Sequence, residues 1–494
     1  MSTSARHIVV IGAGMGGLSA ALGLASDGHS VSVFERHPAP GGKIRKITID
    51  GRGIDSGPTV FTMRWVFEDL FSGAGQSLDD HLSLQAANVL ARHSWPDQSR
   101  LDLFADVERS ADAIRALSGE SDARAYRRFA RESEDIFNTL DHSFMRRSKP
   151  SPASLSTSMG LAVVPKLLAT KPFATLWNEL GKIFSDPKLR QLFGRYATYT
   201  GSSPFEAPAT LMLIAHAERA GVWRVEGGMQ RLAEAMAEGA IAAGADIHYD
   251  SHVAGIRRAG DGLEVELAEG ASVKADAVIF NGDVAALDQG LLGQPATKAL
   301  ASRARESRSL SAITWSMLAK VSNFPLEHHT VFFGEDYPDE FSSIFERKTV
   351  TRHPTVYICA QDRAAERAAE TDAPERLFIL INAPAATLSE DALDRHESDA
   401  FRLLADQGLH LDPSGESVVR NTPSDFARRF PGSDGAIYGW PTHGWSGSFK
   451  RSGSETRLPG LYCAGGTVHP GPGIPMATLS GKIAADEVRR YLKG

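Results

Sequence analysis

Short apolar runs broken by glycine open the chain. Residues 7–11 form an apolar run directly before a glycine and predict a buried strand. The stretch from Leu18 to Ala25 is rich in helix-forming residues and stops at Asp27-Gly28, which predicts a helix with a C-cap. Residues 31–34 predict the next strand, and a strand, a helix and a strand within about thirty residues form a βαβ unit with parallel strands.

The pattern changes character twice in the middle of the chain. Residues 76–215 are predicted to be mainly helical, and residues 229–243 show the helical period of an amphipathic helix. Strand-like runs follow between 311 and 384. The tail then repeats the opening order, with a strand at 461–464, a loop rich in Gly and Pro, and a helix at 476–492. This alternation predicts one domain assembled from non-adjacent pieces, with a second domain inserted into it.

Composition and charge narrow the class of protein. The 494 residues are 42% hydrophobic and 23% charged, which is ordinary for a soluble globular protein, and the net charge of −7 argues against nucleic acid as a partner. The two cysteines, Cys359 and Cys463, stand far apart in no metal-ligand spacing, which excludes a disulfide scaffold and indicates no metal site. We expect a cytoplasmic location without a transmembrane helix, since no run of about eighteen apolar residues occurs.

A dinucleotide-binding fingerprint follows the first predicted strand. The pattern G-x-G-x-x-G is supplied by Gly12, Gly14, Met15, Gly16 and Gly17. In such a pattern the first glycine permits a tight turn, the second lets the backbone approach a pyrophosphate, and the third lets helix and strand pack closely. Glu35 ends the second predicted strand, where a carboxylate binds ribose hydroxyls. A purely structural glycine-rich turn is the alternative.

The residues after the acid favour FAD over NAD. Arg36 follows it at once, then Gly42 and Lys43 in a Pro-Gly-Gly-Lys run, then Pro58 and Thr59 in an Asp-Ser-Gly-Pro-Thr run. This order resembles the flavin amine-oxidase superfamily, in which the pattern of Glu-Arg followed by Gly-Gly-Lys or Gly-Gly-Arg leads the backbone along the pyrophosphate and under the flavin. Two adjacent glycines are, by themselves, also typical of a hairpin loop.

The whole chain resembles the phytoene-desaturase family of bacterial carotenoid oxidoreductases. The most specific part is the tail, residues 460–476, which reads Gly-Leu-Tyr-Cys-Ala-Gly-Gly-Thr-Val-His-Pro-Gly-Pro-Gly-Ile-Pro-Met. Residues 221–229 and 275–283 also fit, although Gly282 departs from the Asn-Ala-Asp of most relatives. Within the family, residues 438–445 and the tail are most similar to the hydroxyneurosporene desaturases, which introduce the 3,4 double bond into 1-hydroxy carotenoids.

The resemblance implies an α/β fold in two parts. A Rossmann-like FAD-binding domain of the glutathione-reductase/amine-oxidase type would comprise residues 1–75, 216–290 and 431–494. An inserted α+β substrate-binding domain would comprise residues 76–215 and 291–430, with a membrane-facing helical segment.

The resemblance also implies which residues bind FAD. Gly12, Gly14 and Gly17 would serve the pyrophosphate, and the backbone of Val253 would touch the adenine. The full expected set is Gly12, Gly14, Met15, Gly16, Gly17, Glu35, Arg36, Gly42, Lys43, Pro58, Thr59, Val253, Asn281, Gly466, Thr467, Ile474, Pro475 and Met476.

The implied activity is FAD-dependent desaturation of an acyclic, 1-hydroxylated carotenoid, with oxygen or a quinone as electron acceptor. Phytoene desaturation and a non-catalytic carotenoid or prenyl carrier are the alternatives. Because the flavin supplies the chemistry and the protein supplies orientation, no acid–base constellation is expected. The candidates for proton transfer are His469, Asp186 and Arg190. A loop-fixing hydrogen bond is the alternative role for His469, and a surface ion pair is the alternative for Asp186 with Arg190.

A polyene that is insoluble in water must be taken from the bilayer, so some surface should touch lipid. Residues 146–190 hold eight basic and two acidic residues, 8 − 2 = +6, among apolar residues and a tryptophan. This pattern predicts peripheral membrane binding there. An ordinary core-facing helix pair with solvated lysines is the alternative. Trp440 and Trp445 are expected either to line a polyene tunnel or to belong to the core.

Overall fold

Two sheets, one parallel and one mainly antiparallel, organise the molecule. The computed structural model describes residues 5–148, 150, 164–303, 306–363 and 373–493. Its strands are β1 His7–Ile11, β2 Ser30–Phe34, β3 Lys46–Ile49, β4 Arg52–Asp55, β5 Phe61–Thr62, β6 Leu84–Ala86, β7 Val89–Ser94, β8 Arg100–Phe104, β9 Val222–Val225, β10 Ala245–His248, β11 Val253–Ala259, β12 Gly262–Leu267, β13 Ser272–Ala275, β14 Ala277–Phe280, β15 Ser311–Ser322, β16 His329–Phe332, β17 Val356–Ala360, β18 Glu375–Ala383, β19 His410–Asn421 and β20 Leu461–Cys463.

Helices pack against one face of the parallel sheet and against the larger, mainly antiparallel sheet. The α-helices are Met15–Ser26, Trp65–Gly73, Val107–Ser118, Glu120–Leu140, Val164–Ala169, Leu176–Ile183, Pro187–Gly194, Leu213–Arg219, Met229–Ala242, Ala285–Asp288, Gln294–Thr297, Tyr337–Ser342, Glu390–Asp406, Pro423–Arg429 and Ile474–Tyr491. Within the described ranges, none of the helices is both long enough and apolar enough to cross a bilayer.

The parallel sheet has the strand order β10-β2-β1-β14-β20. Strand β1 is buried on both faces. Ile8 and Val10 pack with the helix after β1 and the last helix, whereas Val9 and Ile11 pack with strands β11 and β12. The helix that follows β1 packs against the last helix, and the contact is backbone to backbone. A Cβ added at Gly481 would lie 2.0 Å from the carbonyl oxygen of Gly16. The predicted α/β class is confirmed, with strands from both ends of the chain in one sheet.

The larger sheet has the order β19-β15-β18-β17-β16-β7-β8 and is antiparallel except between β16 and β7. The described part of 76–215 is mainly helical, as predicted, and strands β6, β7 and β8 are the exceptions. The apolar alternation of β7 is interrupted by Arg92 and His93, and pairing with β16 on one side and β8 on the other decides its conformation. The domain limits given above stay predictions.

Histidines in this sheet are held neutral. His93 of β7 is buried and its ring stacks with those of Trp95 and Phe333. Burial lowers the pKa of His93 to about 3 and that of His328 to about 4, since a charged imidazole loses its hydration there.

Acidification is therefore expected to destabilise the fold. An unfolded histidine protonates near pH 6.5, whereas folded His93 stays neutral until about pH 3, so the unfolded state binds more protons between these values. The free energy of unfolding then falls with falling pH by up to about 1.4 kcal/mol per pH unit for each such histidine. We expect His93→Phe, which keeps the ring stacking, to reduce this slope in urea unfolding between about pH 6 and pH 4. An unchanged slope would contradict the assignment.

Candidate active site

Three adjoining cavities lie beside the carboxyl ends of the parallel strands. The Glu35 cavity holds about 380 Å³ and continues at Gly14 and Asn281 into the Lys43 cavity of about 280 Å³. The Lys43 cavity meets a third, apolar cavity of about 370 Å³ at Ile474. Ligands of open parallel sheets bind at this edge, so the series provides a path from a nucleotide to a substrate.

Backbone groups fix the carboxylate of the Glu35 cavity. Glu35 is buried, and its two oxygens accept hydrogen bonds from the N–H groups of Ala13 at 2.7 Å and His37 at 2.9 Å. Arg36 and Val253 also line this cavity. A carboxylate held in this way at the end of β2 is placed to accept hydrogen bonds from ribose hydroxyls.

The glycine loop after β1 leaves room that side chains would fill. Gly12 has a φ of +99°, which favours glycine. A Cβ at Gly14 would lie 2.8 Å from the side-chain nitrogen Nδ2 of Asn281, and one at Gly17 would lie 2.1 Å from the carbonyl oxygen of Gly12. Gly14, Met15 and Gly16 line the Lys43 cavity, whereas Gly17 serves the close packing of helix on strand. The cradle fits the pyrophosphate of FAD.

The Lys43 cavity combines a cation with an unpartnered carboxylate oxygen. The Nζ atom of Lys43 donates to the carbonyl oxygen of Ile437 at 2.6 Å, and burial lowers the pKa of Lys43. Oδ2 of Asp283 is buried without a hydrogen-bond partner, as suits a site completed by a ligand. The predicted residues Gly42, Lys43, Pro58, Asn281, Gly466, Thr467 and Ile474 all line this cavity. Asp283 was not singled out from the sequence, although it ends a quoted motif.

The third cavity is apolar and opens to solvent. Its wall includes Phe137, Leu140, Met145, Leu211, Ile214, Pro475 and Met476. Its mouth is formed by Leu168, Phe173 and Trp445, which are 56%, 69% and 50% exposed. The rings of Phe173 and Trp445 lie 5.7 Å apart. A mouth of exposed apolar residues leading to an apolar interior suits a hydrocarbon ligand.

One acid interrupts the apolar wall. Among the described residues that line the cavity, Glu218 alone carries a carboxylate. Its oxygens accept hydrogen bonds from Tyr196 at 2.7 Å and Tyr199 at 2.6 Å, and burial raises the pKa of Glu218. Sequence reasoning missed this cluster because no local motif joins residue 218 to the tyrosines.

The three proton-transfer candidates lie outside the walls of the Lys43 cavity and of the apolar cavity. His469 donates from Nε2 to the carbonyl oxygen of Phe144 at 2.9 Å, and burial lowers its pKa to about 4. Asp186 caps a helix by accepting from the N–H of Lys188 at 2.7 Å. The guanidinium of Arg190 lies 4.0 Å from the ring centroid of Trp177. The surface ion pair considered for Asp186 and Arg190 does not form in the described part of the chain.

Thr59 faces a separate polar cavity of about 250 Å³. Its hydroxyl lies 2.6 Å from that of Tyr357, away from the Lys43 cavity that Pro58 lines. Cys359 approaches His328 and His329 there, but burial raises the pKa of its thiol, and Arg224 lines the same cavity. A protonated thiol beside a guanidinium is a poor cation site.

The two tryptophans considered for the tunnel occupy different positions. Trp440 is buried, with the guanidinium groups of Arg303 and Arg308 at 4.5 and 4.7 Å from its ring centroid, and it belongs to the core. Trp445 lines the apolar cavity at its mouth.

Comparison with protein families and known proteins shows which family the chain resembles over almost its whole length. The family model for flavin containing amine oxidoreductase matches residues 15–489. The chain is 47% identical to hydroxyneurosporene desaturase of Rubrivivax gelatinosus, over 99% of this chain and 94% of that protein. It is 43% identical to hydroxyneurosporene desaturase of Cereibacter sphaeroides, over 97% of both. It is 30% identical to 4,4'-diapolycopene oxygenase of Methylomonas sp, over 99% of both.

Solved structures share the fold at low identity. Putrescine oxidase with bound putrescine superposes with a TM-score of 0.60 at 15% identity, over 98% of this chain and 99% of that one. Cyclohexylamine oxidase of Brevibacterium oxydans gives a TM-score of 0.60 at 14% identity, over 99% and 100%.

Gly14→Ala is expected to weaken FAD binding about tenfold or more, because the added methyl group enters the cradle and meets Asn281 at 2.8 Å. The measurement is the flavin absorbance that remains per polypeptide after gel filtration. Gly73→Ala is the control, since its Cβ would meet no atom within 4 Å. Equal FAD retention in both variants would contradict the role given to Gly14.

Proposed function

We propose the reaction from one premise: the chain belongs to the flavin containing amine oxidoreductase family. It is an FAD-dependent oxidoreductase, and the proposed reaction is desaturation of an acyclic, 1-hydroxylated carotenoid at the 3,4 bond. Two observations support it. Relatives named hydroxyneurosporene desaturase match almost the whole chain, and an apolar cavity adjoins the FAD cavity at Ile474. Oxygen or a quinone would accept the electrons.

The protein contributes mainly binding and orientation. When bound, FAD would supply the hydride acceptor for an allylic carbon of the substrate. The helix that begins at Ile474 has its N-terminus at the Lys43 cavity, where the helix dipole favours developing negative charge. The apolar wall excludes water and holds the polyene by shape. Because the polyene delocalises positive charge, proton loss from the neighbouring carbon needs no strong base.

Co-expression with carotenoid pathways tests the reaction. With 1-hydroxyneurosporene present, we expect a product with one more conjugated double bond at 3,4, identified by chromatography and absorption spectrum. The Gly14→Ala variant serves as the FAD-depleted control. Conversion of phytoene instead would favour phytoene desaturation. No conversion of any carotenoid, together with a flavin band that does not bleach on anaerobic mixing, would favour a carrier.

We propose peripheral membrane binding through the mouth of the apolar cavity. Leu168, Phe173 and Trp445 are exposed around it, and Lys166 and Lys450 are exposed on the same two segments. Exposed apolar side chains with flanking lysines suit the boundary between headgroups and acyl chains. Substrate would then pass from the bilayer into the cavity without crossing water.

This surface is smaller than the stretch 146–190 predicted from the sequence. The helix Leu176–Ile183 turns Leu176 and Leu180 into the core, and the ring of Trp177 packs against Phe205 at 4.7 Å. Basic residues there are partly neutralised, since Lys171 pairs with Glu132 and Glu179. The predicted apolar residues Met159, Leu161 and Val163 lie outside the described residues.

Replacing Leu168, Phe173 and Trp445 by Ser is expected to reduce binding to anionic liposomes about tenfold or more, because three apolar side chains no longer leave water on binding. Liposome flotation of the FAD-loaded protein measures this. A control variant carries Ser at Ile241, Val419 and Tyr491, which are 53%, 39% and 37% exposed away from the mouth. If the two variants float alike, the anchor lies elsewhere.

A further inference from the structure

A largely buried polar cluster lies in the wall of the apolar cavity. It consists of Arg195, Tyr196, Tyr199 and Glu218, and of these Tyr199 and Glu218 line the cavity. Glu218 is 8% exposed. Burying a carboxyl group in an apolar wall is costly, and a purely hydrocarbon ligand gains nothing from its presence.

The cluster is held in place and still has free acceptor capacity. Tyr196 donates to Oε2 of Glu218, and Tyr199 donates to Oε1. Arg195 donates to the hydroxyl oxygen of Tyr199 at 3.4 Å, and its guanidinium lies 5.5 Å from the ring centroid of Tyr199. The two tyrosines occupy one position on each oxygen of Glu218, and each carboxyl oxygen has further hydrogen-bonding capacity for a ligand.

We infer that Tyr199 and Glu218 bind the hydroxyl group of the carotenoid substrate and so select hydroxylated over unhydroxylated chains. The inference rests on the proposed function, in which the hydroxyl carbon is only two bonds from the reacting bond. A hydroxyl placed so near the reacting bond must enter the cavity, where without a partner it would lose its hydrogen bonds to water. The cavity wall from Ile474 to Glu218 provides that partner on the substrate side of the cofactor.

The test compares two carotenoids that differ only at this group. Binding of 1-hydroxyneurosporene and of neurosporene, both supplied in liposomes, is measured on FAD-loaded wild type by quenching of protein fluorescence, and kcat/KM is measured for each. We expect Tyr199→Phe and Glu218→Gln to lower the preference for the hydroxylated chain roughly 10- to 100-fold. Binding of neurosporene should change little.

Tyr337→Phe is the control, because Tyr337 is a buried tyrosine that lies outside the cavity wall. Its preference should equal that of wild type. Variants that weaken both carotenoids alike, or a wild type that binds both with equal affinity, would overturn the inference. Selective binding of the hydroxylated chain without 3,4-desaturation would support the inference while refuting the proposed reaction.

Discussion

Contact between backbone atoms, with no side chain between them, joins the first and last helices of the parallel sheet. Gly481 lies against the carbonyl oxygen of Gly16, and Gly16 in turn approaches the backbone nitrogen of Gly465. Any Cβ at these points would force the helices apart. Because the helices lie this close, the loops after β1, β14 and β20 converge on one line of cavities, and the cofactor site depends on that convergence.

The cofactor side and the substrate side of the site recognise their ligands by different interactions. On the cofactor side, backbone N–H groups, a fixed carboxylate and glycine cradles recognise a polar ligand at defined points. On the substrate side, recognition comes from the shape of an apolar wall, interrupted at Glu218. Ile474 belongs to both halves, since it begins the last helix and borders both cavities. A ligand on either side therefore meets the same short piece of backbone.

The sequence predicts more residues of the cofactor half of the site than of the substrate half. The glycine pattern and Glu35 are local signals, because a tight turn and a close backbone approach permit few residue types at fixed spacing. Strands β7 and β8 were missed because β7 pairs with β16, more than two hundred residues later, and β8 pairs with β7 at the edge of that sheet. The Tyr199–Glu218 contact and the core position of Trp440 depend in the same way on packing between distant segments, which leaves no spacing to recognise.

Strand β20 and the helix Ile474–Tyr491 are the last parts of the parallel sheet to leave the ribosome. Until they emerge, β14 has an unpaired edge and the Lys43 cavity lacks one wall. Closing the sheet therefore requires contacts of very long sequence separation, which form slowly. Free FAD binds the closed form and draws the chain toward it by mass action. Supply of flavin during synthesis should thus influence how much of the protein reaches its native state.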